Sequence, residues 1–471
     1  MSVFFGLSYE YDKILNEFLA DIKKNYSYYS NHLSEIIDIL ADMERIIKAH
    51  PDNPEDVLDE IIQETIIDIE HFKKKYQIPG YNINLSVGNV GVQFYGGNMS
   101  SFGEPMKSDA LFDIASITKM YTTIVAINMI QDGYFDYDTK IKDIAPQFVN
   151  VDDLTIGELL EFSVTFITPG RIDDKKTLDQ AFDCLYNVTI KARNKYNYND
   201  IGMMILKEVM EASSEESYED LVKRYIFDPL GLKNSFIVVP DSEISRVTGT
   251  PNLDAGLAND AKAILLGGHS GHAGAFSSTG DLNKVGDAIL DGTLLPTAHF
   301  DKIILPNKDN GDRSAFIGSL FVKNPSGENN WERHLCMDNS FTAQGSTRIS
   351  SRYSKFNTSD GTVFSKSTIG LNPSSMSYEE AMELQKIINE DRTKRGLPTI
   401  NVVKHYDVYE NGIVRSYTLI DPRQFVPAAD MGKINDSSCK LEIRMLFLNE
   451  FMKKYHNLKE HINVVQSIKT K

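Results

Sequence analysis

No stretch of this chain approaches eighteen consecutive apolar residues, so no membrane span is expected. Basic residues are in deficit. Lys and Arg number 49 against 66 Asp and Glu, which leaves a formal net charge of −17. That sign argues against nucleic acid and against anionic membrane surfaces as partners. Cysteine is scarce: Cys184, Cys336 and Cys439 lie far apart, with no CxxC pair and no Cys/His cluster. They read as buried thiols in a reducing compartment, and neither a metal site nor a cofactor is expected. The opening Met1-Ser2-Val3-Phe4-Phe5-Gly6-Leu7 is apolar but short. It lacks a basic start and runs into Glu10 and Asp12, so it does not read as an export signal, and the expected location is cytoplasmic. There is no internal repeat and no low-complexity tract.

The 471 residues, 41% of them hydrophobic, are enough for a large core in one or two domains. Up to residue 76 the pattern is helical. Leu15, Phe18, Leu19 and Ile22 keep a 3.6 period, as do Leu33, Ile36, Ile37 and Leu40, and a third helix follows Pro51 and Pro54 from Val57 to Tyr76. These stripes need a partner surface, on the rest of the chain or on a second subunit. The period then changes. Tyr81 to Val87 alternates, Gly88-Asn89 turns, and Val90 to Tyr95 answers as a hairpin. Helices and loops fill 140–235, including Ile201–Ala212 and Tyr218–Ile226. Strand-like segments return at Ala315–Val322, His334–Ser350 and Gly361–Ile369. A charged helix is expected at Tyr378–Arg395, a hairpin at Val402–Tyr409 and Ile413–Ile420, and a last helix at about Leu441–Tyr455. The pattern suggests one sheet assembled from both ends of the chain, with a mostly helical insertion between them.

The densest chemical signal is Phe112-Asp113-Ile114-Ala115-Ser116-Ile117-Thr118-Lys119-Met120. Ser116 and Lys119 stand one helical turn apart, so both side chains leave the same face. A lysine amine so placed can take the proton from a serine hydroxyl, which is a weak nucleophile without a base. Ser and Lys are common residues, and the bland reading is a solvated helix start with Ser near the cap. Tyr198 alone reads as a core aromatic, Asp200 as a helix N-cap, and His269 and His272 as loop hydrogen-bonders.

In order and spacing, several segments resemble the serine β-lactamase and penicillin-binding-protein superfamily. The branch is that of the class C β-lactamases, D-aminopeptidases and family VIII esterases. Ile78-Pro79-Gly80 resembles its opening, and Phe112 to Lys119 its nucleophile motif. Met129 to Gly133 resembles the end of the nucleophile helix. Tyr196-Asn197-Tyr198-Asn199-Asp200-Ile201-Gly202 is similar to its Tyr-x-Asn motif, here Tyr-x-Asp. Asp228 to Leu232 matches a following turn, and Gly267 to Ser278 a Gly-His-Ala-Gly segment. The resemblance covers roughly residues 78–395.

It implies an α/β (α+β) fold of the β-lactamase/transpeptidase type, with an antiparallel sheet flanked by helices and an all-helical subdomain. A helical extension (1–54) would precede the domain (55–396), and a small α+β appendage (397–471) would follow. The implied function is a serine acyl-hydrolase acting on a small ester, amide or D-amino-acid peptide. Ser116 would be the nucleophile, with Lys119 and Tyr198 relaying the proton. The Ser116 N–H and one from near residues 340–345 would hold the oxyanion. Asp200, His272 and the third-motif region Asp338, Ser340 and Phe341 would line the substrate site.

Two departures stand out. The usual Leu-Leu-Thr-His-Thr-Ser-Gly reads Leu159-Leu160-Glu161-Phe162-Ser163-Val164-Thr165. The third motif, Lys-Thr-Gly or His-x-Gly, aligns with Asp338-Asn339-Ser340, with Lys366-Ser367-Thr368 as the rival. An acid in place of the family's base predicts a poor β-lactamase. It also keeps open a non-catalytic binding protein of the same fold. A third reading makes the terminal regions interaction modules on a scaffold.

Overall fold

The computed structural model describes residues 9–24, 33–75, 80–87, 90–99, 104–194, 197–248, 256–258, 260–290 and 292–295. Beyond these it describes the strands named below and the helical positions 386, 390, 393, 444, 447, 448, 451 and 452. Three helices come first: α1 (Tyr9–Lys24), α2 (Leu33–Ala49) and α3 (Pro54–Lys75), the last opening on a proline whose missing N–H costs nothing there. The alternating segment forms β1 (Gly80–Val87) and pairs antiparallel with β2 (Val90–Gly97), Ile83 opposite Phe94 and Leu85 opposite Val92.

Alternation gives this hairpin two unlike faces. Tyr81, Ile83, Leu85, Val92 and Phe94 share one core with Ile14 and Phe18 of α1, Ile39, Met43 and Ile46 of α2, Val57 and Ile61 of α3, and Phe447 and Phe451 near the C-terminal end. Arg444 ties this layer together. It is 1% exposed, and it donates from Nε to Asp68 at 2.8 Å and from Nη2 to Asp42 at 2.7 Å. The helices before the hairpin and the helical positions from 444 to 452 therefore cover the same face of the sheet. The face buried by α1 and α2 keeps Leu15, Phe18 and Ile36 of the expected stripes and turns from them at other positions. Ile39, Met43, Ile46 and Ile47 are buried, while Leu19, Leu33 and Ile37 stay exposed.

Next come β3 (Phe112–Asp113), α4 (Thr118–Gln131), α5 (Ile156–Leu160), β4 (Val164–Ile167), α6 (Leu178–Tyr186), β5 (Thr189–Arg193), α7 (Ile201–Ser214) and α8 (Tyr218–Val222). Then follow β6 (Ser235–Phe236), α9 (Ala261–Leu265), β7 (Phe276–Ser277) and α10 (Thr279–Leu290). The helical region thus carries one small hairpin, β4 with β5. Its core is built on α4, whose Met120, Tyr121, Ile124, Val125 and Ile127 are buried against Met203 to Met210 of α7. A helix buried on nearly every side is unusually apolar, which explains the even spread of Ile, Val and Met around α4. Gly133, φ +82°, lies just beyond its last turn.

The chain returns as β8 (Arg313–Ile317), β9 (Leu320–Asn324), β10 (Glu332–Cys336), β11 (Arg348–Asn357), β12 (Ser365–Asn372), the β13 (Val403–Glu410) and β14 (Ile413–Ile420) hairpin, and β15 (Asn463–Ser467). One sheet holds eight strands in the order β15-β2-β1-β12-β11-β10-β9-β8, antiparallel except where β15 runs parallel to β2. Both ends of the chain contribute to it. The helix α10 lies against its other face. There β1 presents Asn82, which accepts from Thr279 Oγ1 at 2.7 Å, and Asn84, which accepts from Asn283 Nδ2 at 2.5 Å. The helix expected at Tyr378–Arg395 lies outside the described residues apart from three helical positions. No described helix is long and apolar enough to cross a membrane.

Candidate active site

The Phe112–Lys119 segment folds as a tight turn that leads into the helix. Asp113 ends β3, and its carboxylate accepts the Ala115 N–H at 2.7 Å. Ala115 sits at φ +46°, a left-handed conformation uncommon for a residue with a Cβ. A 3₁₀ turn over Ala115–Ile117 then feeds α4, so that Ser116, half-buried, precedes the helix by two residues. Lys119, fully buried, places Nζ 2.9 Å from Ser116 Oγ.

Two further segments converge on that lysine. Its Nζ lies 2.9 Å from Asp200 Oδ1 and 4.9 Å from the centroid of the Tyr198 ring. The other is Gly271-His272-Ala273-Gly274, whose His272 carbonyl accepts from Lys119 Nζ at 3.2 Å. This loop is pinned to the Ser116 turn by Ala275, which accepts the Ile114 N–H at 3.0 Å and donates to Thr118 Oγ1 at 3.2 Å. Gly274 has φ +111°, and a Cβ there would lie 2.6 Å from the Gly268 carbonyl oxygen. Glycine is needed for both reasons.

The sequence treats Asp200 as a helix cap, but the structure gives that work to its neighbour. Asn199 Oδ1 accepts the Gly202 N–H at 2.7 Å, and Asn199 Nδ2 donates to the Val164 carbonyl at 3.2 Å. Asp200 has no capping bond and is left to face Lys119. Tyr198 also packs against Phe162, the rings stacked with centroids 5.4 Å apart. Phe162 itself adopts φ +53°, and its carbonyl accepts the Asn197 N–H at 2.8 Å. Phe162 stands in the departure noted at Leu159–Thr165, so the departure supplies the aromatic wall behind Tyr198.

Behind Asp200 lies a second layer, in which Lys262 and Asp260, unlike His272, carried no local sequence signal. Lys262 Nζ bridges Asp200 Oδ2 at 3.1 Å and Asp260 Oδ2 at 3.3 Å. Asp260 Oδ1 also meets His272 Nε2 at 3.0 Å and caps α9, and His272 Nδ1 meets Ser270 Oγ at 2.8 Å. Lys119, Asp200, Lys262, Asp260 and His272 therefore form a closed ring of polar contacts. Ser270, His272 and Asp260 have the residue types of a nucleophilic triad, but Ser270 is 2% and His272 1% exposed, and a hydroxyl without access attacks nothing. The trio is a strut. The His272 imidazole, expected to line the substrate site, is held between Ser270 and Asp260, and its carbonyl faces Lys119.

The charges within the ring follow from burial set against neighbours. Burial opposes the Lys119 ammonium, but Asp200 and Tyr198 outweigh it, and the Lys119 pKa is raised. Burial likewise opposes the Asp200 carboxylate, yet Lys119, His272 and Lys262 hold its pKa below the usual range. Beyond the ring, burial pulls His269 down to about 4, leaving it neutral near pH 7.

The third motif is a different matter. Asp338, Ser340 and Phe341 lie outside the described residues, as does the segment near 340–345 expected to help hold an oxyanion. The rival Lys366-Ser367-Thr368 lies on β12, paired with Ser86, Leu85 and Asn84 of β1. That is two strands from β10, the strand that precedes Asp338 in the chain.

The fold agrees with the sequence comparisons. The profile of the family described as Beta-lactamase matches residues 67–336, more than half of the chain, and the chain belongs to that family of serine hydrolases. A Salmonella gallinarum protein provisionally named D-alanyl-D-alanine carboxypeptidase is 25% identical over 224 residues, 39% of this chain and 52% of its own. Its Salmonella agona counterpart matches over the same shares. The chain thus spans about half the length of these relatives. Among solved structures, a class C beta-lactamase from Rhodobacter sphaeroides aligns with a TM-score of 0.51 at 17% identity, covering 66% of this chain and 94% of its own. A further class C beta-lactamase gives 0.50 at 14% identity, covering 71% and 96%. These likenesses establish the β-lactamase/transpeptidase fold.

Proposed function

We propose that this chain is a serine acyl-hydrolase working through an acyl-enzyme on Ser116. The reading is carried by the 2.9 Å contact between Lys119 Nζ and Ser116 Oγ, beside Tyr198. Ser116 Oγ attacks the carbonyl carbon of an ester or amide while its proton passes to Lys119 or Tyr198. The same proton goes to the departing alcohol or amine, and water then releases the acid. Lys119 accepts a proton only in its neutral form, and Asp200 opposes that form. Acylation at neutral pH is therefore slow, with a larger share of proton transfer falling to Tyr198. A non-catalytic binding protein is the second reading, favoured by that same ion pair.

The pH profile separates the contributions. Acylation through Lys119 rises with pH as the ammonium loses its proton. Replacing Asp200 by Asn removes the carboxylate that raises the Lys119 pKa and leaves burial, which lowers it, opposed by Tyr198 alone. The acylation profile of Asp200→Asn should move to lower pH by about one unit or more, equivalent to about a tenfold faster rate near neutrality. An unchanged profile in stopped-flow labelling would show that Asp200 does not govern the base.

Substrate class follows from charge. Penicillins and peptides ending in D-alanine carry a carboxylate, and the favoured alignment by resemblance puts Asp338, rather than the rival Lys366, where the family has a base. Like charges about 4 Å apart cost on the order of 1–4 kcal/mol, about one to three powers of ten in binding. A neutral ester, a neutral amide or a cationic substrate avoids this. Turnover of a chromogenic cephalosporin should stay near background while a short p-nitrophenyl ester is hydrolysed. Efficient cephalosporin hydrolysis would overturn the charge argument. No turnover of any ester or amide, together with no reaction with a fluorophosphonate, would favour the binding protein.

A further inference from the structure

The catalytic reading above uses Ser116, Lys119, Tyr198 and Asp200 and leaves Lys262 idle. Yet among the described members of the ring Lys262 is the one that meets both carboxylates. It takes Asp200 Oδ2 at 3.1 Å, while Lys119 takes Oδ1 of the same carboxylate at 2.9 Å. One carboxylate between two ammonium groups is shared by both. Its position is fixed at both oxygens, and neither cation receives its whole charge.

We propose that Lys262 is a positioning residue for the nucleophile's base. By gripping the far oxygen of Asp200, it aims the near oxygen at Lys119 and limits how firmly Asp200 holds the Lys119 ammonium. This rests on the reading of Ser116 as nucleophile and Lys119 as base.

The surroundings are consistent with that role. Lys119 faces Asp200, the Tyr198 ring, the Ser116 hydroxyl and the His272 carbonyl. Lys262 faces Asp200 and Asp260 directly and feels Asp173 of the 3₁₀ turn Ile172–Asp174. Asp260 is itself braced by His272 and by two N–H groups of α9, so Lys262 stands on a fixed base. Lys262 lies 62 residues beyond Asp200 in sequence, on the five-residue helix α9, whose Ala263, Ile264 and Leu265 are buried. The sign of the effect is opposite to that of Asp200 itself. Removing the Lys262 charge gives Asp200 wholly to Lys119, strengthens the ammonium and takes the base further from its working form.

The test uses the full chain and a fluorophosphonate, with the second-order labelling rate followed from pH 6 to pH 10. Lys262→Gln should label about tenfold more slowly at neutral pH, the factor carried by one pKa unit, and should recover as pH rises. Lys262→Arg keeps the charge and both contacts and should restore the wild-type profile. The Gln effect should shrink in an Asp200→Asn background, because Lys262 acts through Asp200. A rate lowered uniformly at every pH, or a profile that does not move, overturns the proposal. If Lys262→Gln fails to fold, Lys262→Met, which keeps the stem and drops the charge, replaces it. If the wild type takes no label, the Ser116 reading fails by itself. The Lys262 proposal is then decided by ¹³C NMR titration of lysine-labelled protein, with Lys119 assigned through Lys119→Arg. A Lys119 titration that is the same in wild type and Lys262→Gln overturns it.

Discussion

Ser116→Ala should abolish covalent labelling by a fluorophosphonate and reduce ester turnover to background, a loss of at least about three powers of ten. Its stability should barely change. Ser116 is half-buried, and its Oγ accepts one hydrogen bond from Lys119. Losing a single such bond costs about 1 kcal/mol or less, and Lys119 keeps Asp200 and the His272 carbonyl as partners. The contrast between a lost reaction and a retained melting temperature is what separates a nucleophile from a structural serine. The serines nearby make the control informative. Ser270 is 2% exposed and Ser277 is fully buried, so neither offers the probe an alternative target. Intact-mass spectrometry followed by peptide mapping reads the result. An adduct that persists in Ser116→Ala would move the nucleophile elsewhere and remove the basis for the roles given to Lys119 and Tyr198. Loss of the adduct together with collapse of the melting transition would show that Ser116 serves the fold.

The parts of this site that sequence made legible are those whose spacing is local. Ser116 and Lys119 are three apart, and a single turn of backbone fixes their relation whatever surrounds them. Tyr198 and Asp200 were legible as a motif, but not which of Asn199 and Asp200 would cap α7. Both residues suit a cap, and the choice depends on where Lys119 and Lys262 wait. Lys262 and Asp260 carried no signal because their partners come from α7 and from the loop at His272, brought close only by tertiary packing. Phe162 was noticed as a departure from a pattern, while its stacking on Tyr198 needed the fold. The N-terminal stripes show the same limit. In α2, Leu33, Ile36, Ile37, Ile39, Leu40, Met43, Ile46 and Ile47 make an apolar arc wide enough for more than one buried face. Packing on β1 and β2 chose the face through Ile39 and Met43 and left Ile37 64% exposed.

Deleting residues 1–50 should leave a chain that is insoluble or aggregated when expressed alone. The two helices lost, α1 and α2, bury Tyr11, Ile14, Leu15, Phe18, Ile36, Ile39, Met43, Ile46 and Ile47. Each contributes about 1.5–3 kcal/mol of apolar burial, against a total stability of roughly 5–15 kcal/mol for a typical domain. The deletion also uncovers part of a β-sheet face, with Tyr81, Ile83, Leu85, Val92 and Phe94 losing neighbours in their shared core. A contiguous apolar sheet surface in water is an association site. Arg444 adds an electrostatic cost. It is 1% exposed and would lose Asp42 while keeping Asp68, so a buried guanidinium would be left half-paired. The helical positions from Phe447 to Met452 would then lack the surface they share with α1, including the stacked pair of Tyr11 and Phe451. Light scattering, dye binding to exposed apolar surface and thermal melting read the outcome. A truncated chain that stays soluble, with a sharp melt near that of the full chain and the mass of a single species, would show that this helical layer is dispensable to the sheet beneath it.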